Sequence, residues 1–305
     1  MTELYKKHRP KKLSNVVGQV EAVKMLKNKA ESNNIPHSIL FSGPSGCGKT
    51  TLARIVAKLV KCGKHDLQEI NCADFRGIDT IREIRNRMTQ APISGKARAY
   101  VIDECHKLSN DAQNAFLKLL EDTPSHVYFL LATTEPNKVI KTIRTRCTEI
   151  SCKSLSNDEI YNLVHDVSVR EEAKISDKVI QKIIDNCDGS ARKALVFLDQ
   201  VLGLDDEKDQ LESIVASSTE TAAIEIARAL NNKKTTWPQM AKILKESDLK
   251  DAEGIRYLVL AYSKSVLLSR ADDRAYLLLD VFRDNFYDSK EYGLVHACYT
   301  IIKGA

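Results

Sequence analysis

Residues 38–50 read Ser38-Ile39-Leu40-Phe41-Ser42-Gly43-Pro44-Ser45-Gly46-Cys47-Gly48-Lys49-Thr50, and the order of events in this stretch decides the fold. An apolar run of strand length comes first. A glycine-rich turn of the form G-x-x-x-x-G-K-[ST] follows, and Lys49 opens a segment of helical period. Glycines let consecutive backbone N–H groups turn inward around phosphate oxygens. Lys49 then sets a cation between the β- and γ-phosphates, and the Thr50 hydroxyl can ligate Mg²⁺. Strand, loop and helix in that order rest the phosphates on a helix N-terminus, where unpaired N–H groups and the helix dipole favour negative charge. The candidate ATP-binding residues in this stretch are Gly43, Gly46, Cys47, Gly48, Lys49, Thr50 and Thr51.

Such a site needs a second, buried strand that ends in carboxylates. Ala99-Tyr100-Val101-Ile102-Asp103-Glu104 supplies it about fifty residues downstream. Asp103 at the strand end is expected to join Thr50 in the Mg²⁺ shell. Glu104 is expected to orient and deprotonate the attacking water. Asp103-Glu104-Cys105-His106 also spells a D-E-x-H box. A helicase of that kind needs a second strand-rich nucleotide-facing domain, and no second strand series follows, so His106 reads as a polar helix-start residue.

Working outward, short apolar runs at Ser38–Ser42, Leu67–Cys72, Ala99–Asp103, Val127–Thr133 and Thr148–Lys153 read as strands. Helical patterns at 21–32, 49–61, 79–89 and 110–121 separate them. That alternation predicts an α/β core with a mostly parallel sheet over residues 1–152. After Lys153 the texture becomes all-helical. Segments 156–170, 176–187 and 190–202 form a small helical lid over residues 153–204, its first two helices opening with capping serines. The acidic stretch Asp205–Asp209 reads as a linker or a helix start. Segments 219–230, 238–246, 252–269, 274–285 and 290–302 then form an all-helical collar over residues 205–305.

The 305 residues are 43% hydrophobic and 29% charged, a composition that supports buried cores and excludes disorder. No apolar run approaches the roughly 18 residues of a membrane span, and the lysine-rich start is unlike a secretory signal. The expectation is a cytoplasmic protein without membrane contact. Eight cysteines lack C-x-x-C pairing and read as buried or incidental thiols. Residues 1–152 hold 25 Lys and Arg against 15 Asp and Glu, whereas residues 153–305 hold 21 against 26. A basic N-terminal part suits a polyanion, nucleotide phosphates included.

Further stretches carry a resemblance. Leu131-Ala132-Thr133-Thr134-Glu135-Pro136 and Thr145-Arg146-Cys147 closely resemble the ATPase subunits of sliding-clamp loaders, a branch of the AAA+ class, and within it the bacterial DNA polymerase III tau/gamma subunit. His8-Arg9-Pro10, Val17-Gly18-Gln19, Pro36-His37 and residues 71–79 lean toward the small subunits of replication factor C. The resemblance is strong over residues 5–200 and beyond them extends only to helical character.

The resemblance implies roles residue by residue. Thr134 stands where the family reads the γ-phosphate, Arg192 where its lid contributes a second sensor, and Arg9, Val17 and Gly18 where it wraps adenine and ribose. Arg146 matches the arginine that reaches a neighbouring subunit's ATP, with Thr145 in place of the family's serine. Such an arginine neutralises charge developing on the transferred phosphoryl group, so hydrolysis depends on assembly. Arg76, Arg82 and Arg85 match basic residues that track a DNA backbone, a contact that positions a duplex without reading its sequence. The implied partners are a sliding clamp, primer–template DNA and further loader subunits, in a homo- or hetero-oligomer shaped as a pentameric spiral. Two departures stand out. The stretch from Cys62 to Cys72 is too short for the four-cysteine zinc module of tau/gamma, so no zinc is expected. No polymerase-binding tail is expected either, which suits a phage or minimal replication system and, for a phage protein, the host cytoplasm.

Overall fold

The apolar run ahead of the glycine-rich turn forms strand β1, Ser38–Ser42, with Ile39, Leu40 and Phe41 fully buried. The computed structural model describes residues 3–74, 77–247, 249 and 251–303. In chain order the other elements of the N-terminal part are α1 (Leu4–Lys7), α2 (Val20–Glu31), α3 (Lys49–Leu59), β2 (Cys62–Asn71), α4 (Ile78–Met88), β3 (Ala97–Asp103), α5 (Asn110–Glu121), β4 (Val127–Thr133), α6 (Lys141–Arg144) and β5 (Thr148–Ser151). Helices α7 (Asn157–Arg170), α8 (Asp177–Asn186) and α9 (Ala191–Val201) follow. The strands form one sheet in the order β2-β3-β4-β1-β5, and every pairing is parallel.

Strand periodicity explains the layering. Alternate side chains of a strand point to opposite faces, so a sheet buried on both sides needs apolar residues at nearly every position. Leu40 packs with Ile102, Phe129, Ile84 of α4 and Phe116 of α5. Its neighbours Ile39 and Phe41 pack on the other face with Leu26 of α2 and Leu52 and Val56 of α3. Because all strands run the same way, β1, β3 and β4 end at one edge, and β1 and β4, adjacent in space though far apart in sequence, mark the crevice where open α/β sheets bind ligands.

β1 and β4 match their sequence-predicted bounds. β2 begins five residues earlier than the apolar pattern indicates. Its register shifts between Cys62 and Leu67, and the polar run there is held by Asp66. That buried carboxylate accepts from the backbone N–H groups of Ile93, Ser94 and Gly95 at 2.7, 2.7 and 3.1 Å. Helix α7 opens with a capping box: Ser156 accepts from the Glu159 N–H, and the Glu159 carboxylate accepts from the Ser156 N–H at 2.9 Å.

The chain divides into two compact units, Met1–Asp199 and Gln200–Ala305. The second contains α10 (Glu207–Asn231), α11 (Trp237–Glu246), α12 (Ala252–Ser269), α13 (Asp273–Val281) and α14 (Lys290–Lys303). Two expectations are corrected here. The acidic stretch at 205–209 takes the helix start, one of its two readings, but the break expected before Thr219 is absent: Asp206 caps α10, which runs 25 residues through it. Ile214, buried inside that supposed gap, carries the helix through it. Conversely, α13 ends at Val281, short of the expected Asn285. The guanidinium of Arg256, buried and paired with Glu253, donates to the carbonyls of Phe282 and Arg283 at 3.0 and 3.1 Å. The Glu253 carboxylate accepts from the Phe286 N–H at 2.7 Å. Side chains on α12 thus satisfy the backbone groups a longer helix would have paired internally.

Candidate active site

The glycine-rich loop leaves β1 at a point with no room for a side chain. Gly43 has φ +145°, and a Cβ there would lie 2.1 Å from the Cys152 carbonyl oxygen. Gly48, at φ +103°, turns the chain into α3 in the left-handed region that glycine alone enters freely. The loop therefore ends with N–H groups at the start of an eleven-residue helix.

Lys49 is buried, and its ammonium donates to the carbonyls of Gly43 and Pro44 at 2.8 and 2.7 Å. Among the described residues it has no carboxylate partner. A buried cation satisfied only by neutral oxygens is arranged for an anion that arrives from outside. Beside it, the Thr50 hydroxyl donates to Asp103 Oδ2 at 2.8 Å. A hydroxyl and a carboxylate side by side, with phosphate oxygens to be added, fit Mg²⁺. That ion keeps several waters and takes few protein ligands.

Glu104 follows Asp103 directly. Its backbone lies in the left-handed region at φ 51°, ψ 41°, a conformation costing of the order of 1 kcal/mol or more in a residue with a Cβ and found at sites where a side chain must be aimed. Oε2 of its carboxylate accepts from the Thr134 hydroxyl at 3.2 Å. The end of β4 thus reaches the end of β3, as the sheet order requires.

These groups share one cavity lined by Arg9, Val17, Gly46, Cys47, Gly48, Lys49, Thr50, Thr51, Asp103, Glu104 and Arg192. Gly43 holds the Lys49 ammonium from beneath. Gly18, at φ +65°, packs beside Leu155 and Glu159 and shapes the wall next to Val17. Residues to which the sequence assigns no role at the site also line the cavity, among them Tyr5, His8, Leu155, Leu163 and Leu195. Leu163 lies on α7, Leu195 on α9 and Leu155 just ahead of α7, and together they give the cavity an apolar wall. Leu163 and Leu195 sit in helical runs whose apolar positions read as core, and only the fold turns them to the cavity. Tyr5 sits with its ring centroid 5.7 Å from the Arg192 guanidinium, a cation–π contact.

Arg146 stands apart from this cavity. It pairs with Glu121 and donates to the Thr142 carbonyl at 3.1 Å. Arg82 and Arg85 are exposed on α4, Arg82 paired with Asp79 at 2.9 Å, and Arg76 lies outside the described residues. His106, expected as a polar helix-start residue, is buried, and that burial pushes its imidazole below the usual histidine range. The Cys47 thiol is held below the ordinary thiol range by hydrogen bonding to Cys152 and by the nearby Lys49 ammonium.

A family model described as DNA polymerase III, delta subunit, matches residues 18–78 and 74–156. The chain is 34% identical over 225 residues to the DNA polymerase III subunit gamma/tau of Mycoplasma pneumoniae, a match covering 67% of this chain and 33% of that one. It is 33% identical over 258 residues to the DNA polymerase III subunit tau of Bacillus subtilis, covering 76% and 46%. The chain spans between a third and a half of the length of these relatives. Among solved structures, the RuvB Holliday junction branch migration motor of Thermotoga maritima superposes with a TM-score of 0.60 over 88% of this chain and 90% of that one, at 17% identity. So low an identity speaks for the fold alone. No helix of the described residues is long and apolar enough to cross a membrane. On the matches over two thirds and more of its length, the chain belongs to the DNA polymerase III gamma/tau family of AAA+ proteins.

Proposed function

We propose that this chain is an ATP-hydrolysing motor subunit of a DNA replication clamp loader, which opens a sliding clamp and sets it on primer–template DNA. The observation that carries the ATPase half is the buried Lys49 ammonium held, among the described residues, only by the Gly43 and Pro44 carbonyls, beside Thr50 on Asp103 and Glu104 on Thr134. Kinship with polymerase III subunits supports the clamp-loading half. The neighbouring branch-migration motor shares the fold and carries no further argument.

In this reading Lys49, the loop N–H groups and Arg192 bind the triphosphate, while Arg9, Val17, Gly18 and the apolar wall receive the nucleoside. Thr50 and Asp103 hold Mg²⁺, which supplies charge neutralisation on the phosphate oxygens. Glu104 takes a proton from water as its oxygen bonds to the γ-phosphorus. The bond to the ADP oxygen then breaks, and phosphate leaves. Thr134 holds the base and senses the γ-phosphate. Arg146, exposed and outside its own chain's cavity, acts on a neighbour's nucleotide, so turnover follows assembly into a homo- or hetero-oligomeric spiral of five subunits. Arg76, Arg82 and Arg85 track the DNA backbone. The working division is a nucleotide core over 1–152, a lid over 153–204 and an oligomerising collar over 205–305, and the setting is the cytoplasm.

The test is the ATPase rate of the purified loader assembly with and without primer–template DNA and the cognate clamp. Synergy between the two supports clamp loading. Turnover indifferent to the clamp transfers the chain to another DNA-acting AAA+ role such as branch migration.

A further inference from the structure

The geometry points to His106 as a positioning residue that locks the base Glu104 to the tip of β4. This inference rests on the ATPase reading of the same site. His106 is nearly sealed from solvent, with a side chain 2% exposed. Its Nδ1 lies 3.0 Å from the Thr133 hydroxyl oxygen and 3.4 Å from Glu104 Oε2. Its Nε2 lies 3.3 Å from Glu135 Oε1. One imidazole therefore stands between the base and two residues at the tip of β4, Thr133 at the strand end and Glu135 just beyond it.

Three features make this more than a satisfied core histidine. First, the ring is flanked by carboxylates on both sides, and a neutral imidazole carries a single N–H. It can donate toward Glu104 and Thr133 or toward Glu135, but not both. Second, Thr133 closes the circuit. Its hydroxyl oxygen accepts from the Glu135 N–H at 3.0 Å while facing Nδ1. The ring is thereby tied to the backbone that carries Thr134. Third, the ring and the Thr134 hydroxyl both meet Glu104 at the same oxygen, Oε2. Oε1 has no hydrogen bond among the described residues, which leaves it as the oxygen that receives the water's proton. Fixing one carboxylate oxygen from two directions sets the direction of the other, and small errors in the placement of a base cost much of its rate.

The tie has a consequence for signalling within the site. A shift of the β4 tip on contact with the γ-phosphate moves Thr133, Thr134 and Glu135 together, and through His106 it moves Glu104 with them. Base alignment then follows nucleotide contact and not loop fluctuation alone.

The experiment compares His106→Asn, His106→Gln and His106→Ala in the full-length chain within its loader assembly. Single-turnover ATP hydrolysis and the Kd of a fluorescent ATP analogue are both measured. An asparagine amide stands where Nδ1 stands, and a glutamine amide reaches toward the place of Nε2. Positioning through Nδ1 predicts a rate lowered about tenfold or more in the Ala and Gln variants, recovery to within about threefold in Asn, and a Kd near the wild-type value in all three. In a Glu104→Gln background the His106→Ala substitution should have no further effect on rate, because residues that act as a unit are not additive. Equal rates for Asn and Gln, an undiminished penalty in the Glu104→Gln background, or a parallel loss of nucleotide affinity would each overturn the inference. If the Ala variant does not fold, the Asn–Gln comparison decides alone. A wild-type assembly that binds ATP but never hydrolyses it overturns the ATPase reading and this inference with it; turnover that survives His106→Ala unchanged overturns only the inference.

Discussion

Replacing Lys49 with methionine should separate two quantities that usually fall together, folding stability and nucleotide affinity. In the ligand-free chain the buried ammonium makes hydrogen bonds to two carbonyls and, among the described residues, no ion pair. Two bonds to a charged donor contribute about 1.5–3 kcal/mol each. Burying the ammonium costs several kcal/mol. The two nearly cancel, and methionine retains the apolar stem, so ligand-free stability should change by only about 1 kcal/mol. Nucleotide binding is different. A unit charge about 3 Å from a phosphate oxygen gains about 5 kcal/mol at an effective dielectric of 20. Some of that gain is offset because the ammonium must loosen its carbonyl bonds, which leaves a net loss of about 3–4 kcal/mol, or a Kd weakened by a factor of about 10²–10³. The assay pairs fluorescent-nucleotide titration with thermal melting in the presence and absence of Mg²⁺-ATP. The wild-type melting temperature should rise with ATP by mass action, and that rise should vanish in the variant while the ligand-free melt stays in place. A variant that binds ATP within about threefold of wild type would refute the assignment of Lys49. A collapse of the ligand-free melt would refute the cancellation on which the argument rests.

Glu104→Gln should keep the nucleotide Kd and lower turnover by about 10²–10⁴, the usual share of a general base; single-turnover kinetics read both, and a rate close to that of wild type would remove Glu104 from the mechanism. Arg146→Ala should leave binding intact and abolish DNA-stimulated turnover in the assembly. Its pair with Glu121 is exposed, so the melting temperature should hardly move; full stimulated activity would sink the trans role. Arg256→Ala strands the Glu253 carboxylate and two helix-end carbonyls in the C-terminal unit, a loss of about 3–5 kcal/mol visible as faster hydrogen exchange over residues 253–303. The same pair sets a pH dependence. Arg256 holds the Glu253 carboxyl below its ordinary 4.5, so its stabilising contribution is complete above that value and is lost as pH falls through the lower, folded-state value. Acid melts of the wild type should show that decline, and Arg256→Ala should flatten it.

Much of the site is legible in the sequence because phosphate binding constrains residues that are neighbours along the chain. Strand, glycine turn, lysine and hydroxyl must be contiguous, and the carboxylates must end a buried strand. Residues 38–50 and 99–104 therefore announce themselves by spacing. The same locality makes β1, β4 and α5 readable to the residue, since each is an unbroken periodic run. Family likeness, and not periodicity, points to Thr134, Arg146 and Arg192.

What tertiary structure decides is what distant segments do to one another. The early start of β2 depends on Asp66 gripping residues 93–95, and the early end of α13 depends on Arg256 taking the Phe282 and Arg283 carbonyls. Neither grip leaves a local pattern. Leu163 of α7 and Leu195 of α9 read as ordinary helix residues, and the fold turns them, with Leu155 ahead of α7, to the cavity. His106 reads as no more than a polar helix-start residue because its partners Thr133 and Glu135 lie almost thirty residues away; only the parallel pairing of β3 with β4 brings them together. Local chemistry is written in adjacent residues, whereas burial and hydrogen-bond partnership are properties of the closed chain.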